Sequence, residues 1–315
     1  MSYSNHVRPV FAPRQPHGGL PTNGASALTA VATLPYHPPY DWSAIVRFLA
    51  ARALTGIEHV TGGSYARTVH IGDAKGWIRI TPAEDAPALT LEVADTLMPV
   101  LPLVVTRMRA LFDLDARPDT IARHLSDDPR LAAAVGARPG IRVPGAFDGF
   151  ELGVRAILGQ QVTVRAATTI AGRFVETFGE PIATPFPELN RLTPAPSRVA
   201  AASVDEIARL GIVSARCRSI IALADAHHTG GLRLDGLISQ DPADVIGQLT
   251  KLPGIGPWTA HYIAMRALHW ADAFPKEDIA VRNALGGLSA REAETLSQAW
   301  RPWRSYAVMY LWLSS

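Results

Sequence analysis

Leu252-Pro253-Gly254-Ile255-Gly256-Pro257-Trp258-Thr259-Ala260 is the stretch on which the reading of this chain turns. Upstream of it, Val245, Ile246, Leu249 and Leu252 recur at helical spacing and run into Pro-Gly-Ile-Gly. Pro257 then opens a second helix that carries Ile263, Met265 and Leu268. Two glycines around one apolar residue let the chain reverse tightly and keep side chains clear of an approaching ligand. The N–H groups that start the second helix have no partner inside it, so they suit an anion, and a DNA phosphate is the natural one. An ordinary glycine-rich turn between helices fits the same residues equally well.

Outward from this hairpin the chain shows two kinds of pattern. Behind it, helical signals run back to about residue 106. Asp128-Pro129 and Asp241-Pro242 each pair a cap with a proline at the first helical position, and Asp148 caps a helix through Leu158. Gly159-Gln160-Gln161 marks a break before a helix over 162–178. Ser203 with Glu206 and Ser289 with Glu292 have capping-box spacing. Between 34 and 105 the pattern is mixed. Asp41 precedes a helix with Trp42, Ile45, Val46 and Leu49 on one face. Alternating runs then follow over 65–71, 77–81 and 89–93, and a further helix over 100–112. Residues 1–33 are rich in Pro, Gly, Ala and Thr without periodicity and read as a flexible leader, with order beginning near Leu34. The fold class is therefore α+β: an antiparallel α/β domain over 34–105 and a mostly helical region over 106–315, with the hairpin at about 242–268.

Composition bounds the function. The chain has 315 residues, 48% of them hydrophobic and 18% charged, an ordinary globular balance. The single cysteine, Cys217, excludes an internal disulfide, an iron–sulfur cluster and a cysteine-based zinc site. No apolar run spans a bilayer and the start lacks a signal-peptide pattern, so an intracellular, cytoplasmic location without membrane contact is expected. The net charge of +2 does not announce a nucleic-acid binder.

Phe274-Pro275-Lys276-Glu277-Asp278 precedes a short helix, with Asp278 where an N-cap would sit. Backbone N–H groups and the helix dipole favour the charged form of a carboxylate there, although most such aspartates are only caps. Glu277 points about 100° away on a helix. 

Leu252 to Ala260, followed some twenty residues later by Asp278, resembles the hairpin and aspartate of the helix-hairpin-helix DNA glycosylase superfamily. Further segments resemble the DNA-3-methyladenine glycosylase II family of the AlkA type: Pro38-Pro39-Tyr40-Asp41-Trp42, Phe48-Leu49-Ala50-Ala51-Arg52-Ala53, Gly153-Val154-Arg155-Ala156-Ile157-Leu158-Gly159-Gln160 and Trp303-Arg304-Ser305-Tyr306-Ala307. The resemblance covers the chain from about Leu34 onward. It implies an N-terminal domain of TATA-binding-protein-like topology and two helical subdomains with a cleft between them.

It also implies an activity: hydrolysis of the N-glycosidic bond of alkylated bases such as 3-methyladenine and 7-methylguanine in double-stranded DNA, by a monomer and without an organic cofactor. Asp278 takes the catalytic position, where a fixed anion stabilises the oxocarbenium-like sugar. Trp258, Tyr262, Trp312 and Phe48 take the base-pocket positions; Trp300 and Trp303 read as core. Gly254, Ile255, Gly256 and Thr259 form the phosphate-binding hairpin, whose carbonyls at Thr250, Leu252 and Ile255 would hold a monovalent cation. Gln161 falls at the position that wedges into the duplex, which is apolar in the resembled enzyme. Bifunctional relatives carry a lysine where this chain has Trp258, so base removal without strand cleavage is expected. Other readings are a glycosylase for oxidised, mismatched or otherwise damaged bases, a non-catalytic helix-hairpin-helix DNA-binding module, and a metal-free hydrolase of small nucleosides.

Overall fold

Alternation of apolar and polar residues places the N-terminal part of the chain in an antiparallel sheet. The computed structural model describes residues 29–236 and 240–314. Its sheet has five strands: β1 (Thr29–Pro35), β2 (Glu58–Thr61), β3 (Ser64–Ile71), β4 (Ala74–Pro82) and β5 (Ala88–Ala94). Their order is β1-β5-β4-β3-β2, with every neighbouring pair antiparallel. The three alternating runs of the sequence are β3, β4 and β5. The four residues of β2 are too few to show a period. β1 corrects the expectation that order begins near Leu34: Thr29 to Thr33 pair with Ala94 to Thr90, and Ala32 is buried. The rest of the expected leader, residues 1–28, lies outside the described residues.

The expected caps form. Asp41 accepts from the Ala44 N–H at the start of α1 (Trp42–Ala50). After the sheet, α2 (Leu101–Leu111) packs on the strands along its length, so the split expected at 105/106 falls inside this helix. The helical region follows with α3 (Pro118–Leu125), α4 (Pro129–Ala137), α5 (Gly149–Leu158), α6 (Val164–Phe178), α7 (Pro196–Ala200), α8 (Val204–Ala208) and α9 (Ser214–His228). It closes with α10 (Pro242–Leu249), α11 (Pro257–Arg266), α12 (Ile279–Ala284), α13 (Ala290–Ser297) and α14 (Arg304–Ser314). Asp128, Asp148 and Asp241 cap α4, α5 and α10 as expected, and Ser289 with Glu292 completes both halves of the capping box at α13. No described helix is long and apolar enough to cross a membrane.

Two hydrophobic cores result. One joins the sheet to α1 and α2; the other fills the helical region. Phe48 of α1 packs against both, which puts it at their junction.

A second tie between the cores is polar. Asp113, just after α2, has a φ of +52°, and its Oδ2 accepts from the Tyr306 hydroxyl of α14 at 2.8 Å and from the Val143 N–H at 3.2 Å. Burial pushes its carboxyl up to about 7, against the pull of Tyr306 and Arg142. A group whose folded pKa is raised contributes stability that is full below its unfolded value and is lost as pH rises through the folded one. This side chain should therefore make the protein less stable between about pH 4 and about pH 7, at up to ~1.4 kcal/mol per pH unit. In Asp113→Asn, urea midpoints taken across that window should change less with pH than in the wild type.

Candidate active site

The hairpin is built as its glycines require. Gly254 has a φ of +73°, the left-handed region, and a Cβ there would collide with the Ser219 hydroxyl of α9. Gly256, the N-cap of α11, is extended at φ −88° and ψ 177°, and a Cβ on it meets nothing within 4 Å. Only Gly254 is thus needed for the turn itself, while Gly256 keeps the outer side open. Ile255 between them is buried and pins the turn to the helical core. The first backbone bond of α11 runs from the Ala260 N–H to the Gly256 carbonyl, so the N–H groups of Trp258 and Thr259 are among the donors the helix leaves free. The Thr259 side chain is buried, and its hydroxyl accepts from Gln160 at 2.9 Å, so what this residue offers outward is its backbone.

These contacts predict a contrast. Gly254→Ala should cost at least about 1–2 kcal/mol of stability, because an L-residue must take a left-handed conformation into a steric clash. Gly256→Ala should leave thermal stability nearly unchanged but weaken DNA binding, because its methyl stands where a phosphate would approach. Thermal melts and filter-binding titrations of both variants check it.

The segment between α5 and α6 lies against the hairpin. Gln160 Nε2 donates to the Gly254 carbonyl and to Thr259 Oγ1, both at 2.9 Å, while Arg216 of α9 donates to the Gln160 carbonyl. Gln161 follows, exposed and with a φ of +54°. The sequence singled out Gln161 and missed Gln160, although its side chain clamps the turn. No local pattern marks Gln160, because its partners lie more than ninety positions away.

Asp278 caps α12, with Oδ1 accepting from the Val281 N–H at 3.0 Å. The same oxygen accepts from Trp312 Nε1 at 3.2 Å, and Oδ2 accepts from Trp258 Nε1 at 2.8 Å. Asp278 as a whole is 9% exposed. Two indoles expected only as pocket walls therefore also hold the carboxylate by their edges. Glu277, one residue before, makes none of these bonds.

The aromatic residues form one row. Trp258 stacks on Tyr262 at 5.5 Å and 13°, Tyr262 faces Trp312 at 6.3 Å with a 49° tilt, and Trp312 stacks on Phe48 at 6.3 Å and 18°. The structure thus gathers all four expected pocket residues in one row, two of which, Trp258 and Trp312, bond to Asp278. Trp300 is buried and donates to Asp128, as a core residue does.

Thr250 caps the C-terminus of α10, and Leu252 and Ile255 follow in the same turn. The Leu252 carbonyl accepts from the Ile255 N–H at 3.3 Å and keeps its second lone pair. Uncharged backbone oxygens of this kind suit a monovalent cation, and Thr250, Leu252 and Ile255 would hold it. The chain has three lysines, Lys75, Lys251 and Lys276, and none is in the aromatic row.

Comparison with known proteins shows the family. Residues 31–148 match the AlkA N-terminal domain, and residues 154–305 match the HhH-GPD superfamily base excision DNA repair protein. DNA-3-methyladenine glycosylase 2 of Escherichia coli (strain K12) is 37% identical over 280 residues, which is 89% of this chain and 96% of that protein. The probable bifunctional transcriptional activator/DNA repair enzyme AlkA of Mycobacterium tuberculosis (strain ATCC 25618 / H37Rv) is 40% identical over 292 residues, 91% of this chain and 58% of that longer protein. The structure of the 3-methyladenine DNA-glycosylase from Archaeoglobus fulgidus superposes with a TM-score of 0.75 at 19% identity, covering 89% of this chain and 97% of that one, a likeness of fold. With both domains matched in order and this identity over nearly its whole length, this chain belongs to the AlkA-type DNA-3-methyladenine glycosylase II family within the helix-hairpin-helix superfamily.

Proposed function

We propose that this protein removes alkylated bases from duplex DNA by hydrolysing the N-glycosidic bond, and that it leaves the resulting abasic strand uncut. The observation that carries this reading is the position of Asp278. A buried carboxylate is held by three hydrogen bonds, two of them from indoles of the aromatic row, Trp258 and Trp312. Departure of the base leaves positive charge on the deoxyribose, and a fixed anion beside the sugar lowers that barrier. The carboxylate's remaining lone pairs can orient the attacking water. A hairpin that only bound DNA would have no use for this arrangement.

The base enters the row between Tyr262 and Trp312. Rings that sandwich a base stand apart by about twice the ~3.4 Å stacking repeat. The 6.3 Å separation of this pair is close to that, and a rotation of Trp312 that closes the 49° tilt admits a flat base. The hairpin N–H groups of Gly256, Trp258 and Thr259 take a phosphate and set the register. Gln161 fills the gap left in the stack, since its left-handed backbone projects an exposed side chain beside the hairpin.

Base release measured in parallel on methylated, deaminated and oxidised duplexes tests the function. Methylated purines should be released fastest. The strand should stay intact until alkali is added, because Trp258 donates to Asp278 where a lyase would place an amine. Borohydride should accordingly trap no covalent enzyme–DNA adduct. Robust trapping would refute hydrolysis alone and would point to Lys251 or Lys276.

A further inference from the structure

The short connection from α5 to α6, Gly159 to Thr163, is pinned at both ends. The Gly159 N–H donates to the Arg155 carbonyl at 3.0 Å, and Thr163 caps α6 by accepting from the Ala166 N–H at 3.2 Å. Inside it, Gln160 spends its side-chain nitrogen on two acceptors, the Gly254 carbonyl and the Thr259 hydroxyl oxygen, both at 2.9 Å. A carbonyl can only accept, which fixes the end of the amide that faces the hairpin. Gly254 precedes the hairpin donors and Thr259 closes them, so one amide bridges both ends of the turn assigned above to a phosphate. From the other side, Arg216 of α9 donates to the Gln160 backbone carbonyl.

The next residue is held differently. Gln161 has a φ of +54° and an exposed side chain. An L-residue left to itself prefers the right-handed region over this one by roughly five- to thirtyfold. A left-handed glutamine therefore persists only where its surroundings over-determine it. Val162 on one side is only half-buried. Gln160 on the other is fixed through its amide and through its carbonyl, so it supplies the anchor that keeps the Gln161 backbone in place.

We propose that Gln160 is a positioning residue that joins the phosphate grip of the hairpin to the wedge, so that capture of a backbone phosphate and insertion of Gln161 are one event. When the hairpin settles on a phosphate, the amide clamp sets Gln161 at a fixed distance from it. Phosphates follow one another along a DNA strand with a rise of about 3.4 Å per nucleotide, so the gap left by an extruded nucleotide also lies at a fixed distance from the gripped phosphate. A rigid link between the two puts the wedge in register with that gap. Without the amide the turn itself would remain, because Gly254 in its left-handed conformation against Ser219 and the buried Ile255 set its shape. Gln161 would then relax toward a right-handed backbone and its side chain would leave the register. The gap exists only once a base is out of the stack, so the clamp matters for extruded DNA and not for an intact duplex.

This inference rests on the wedge role given to Gln161 above. Binding of the full chain to an intact duplex, and to the same duplex carrying a tetrahydrofuran abasic-site mimic, tests it without base release. Gln160→Ala should lower the preference for the abasic duplex by roughly five- to thirtyfold, the ratio that the left-handed backbone of Gln161 represents. Its affinity for the intact duplex, and the salt dependence of that affinity, report the phosphate grip and should stay within about twofold of wild type. In a Gln161→Ala background, adding Gln160→Ala should change the preference by less than about twofold, because no wedge is left to place. Gln160→Glu has nearly the same shape but turns a carboxylate toward two acceptors, so it should show the same loss and serves if the alanine variant folds poorly. Equal losses on both DNAs would mean that Gln160 only braces the hairpin. The same loss with and without the Gln161 side chain would mean that it acts independently of the wedge. Either result, or an unchanged preference, overturns the proposal, as does a wild type that does not prefer the abasic duplex. If the expected pattern appears in a protein that releases no methylated base, the glycosylase reading fails and the coupling holds.

Discussion

Asp278→Asn is expected to slow single-turnover base release by on the order of 10²–10³-fold, the effect of removing one fixed charge from a preorganised site. Asparagine caps helices about as well as aspartate, so its Oδ1 can still accept from the Val281 N–H and α12 should persist. The other oxygen becomes an amide that faces the Trp258 N–H, donor against donor. That indole loses its partner at a cost of about 1–3 kcal/mol. Thermal melts should report this modest loss, and binding to DNA carrying an abasic-site mimic should be largely retained. Glu277→Gln provides the control, since Glu277 takes no part in the bonds at Asp278, and its release rate should stay near wild type. If Asp278→Asn released bases at a rate close to wild type, the charge at this position would not be the source of catalysis.

Trp258→Ala should have the next largest effect, because one side chain does two things. Its face stacks on Tyr262 and its edge donates to Asp278. Trp258→Phe separates them, keeping an aromatic face and deleting the N–H. A hydrogen bond to a charged group contributes about 1.5–3 kcal/mol, so the phenylalanine variant should lose roughly ten- to a hundredfold in release rate with base binding nearly intact. The alanine variant should lose that and, in addition, roughly 0.5–1.5 kcal/mol of stacking. Release rates under saturating enzyme, set against affinity for the abasic mimic, distinguish the two. Equal losses in both variants would mean that the ring matters only through its edge. Wild-type behaviour of Trp258→Phe would mean that it matters only as a wall.

The sequence by itself determined the local features, because they are written in neighbouring residues. Asp41, Asp128, Asp148, Asp241 and Ser289 start their helices as read, since a cap needs only a side-chain oxygen and an N–H two or three residues on. The hairpin was legible for the same reason, and so were the placement of Asp278 as a cap and the absence of lysine at Trp258. β1 and β2 were not legible. One is an edge strand of small residues inside a leader-like composition, the other is four residues long, and what orders them is pairing with β5 and β3. Tertiary structure alone decided the chemistry of the site. The two indole N–H groups reach Asp278 from 20 and 34 positions away, and Gln160 clamps a turn 94 positions on. Each of these depends on how helices pack rather than on a repeat along the chain, since packing sets which side chains lose water together and so which must pair with one another.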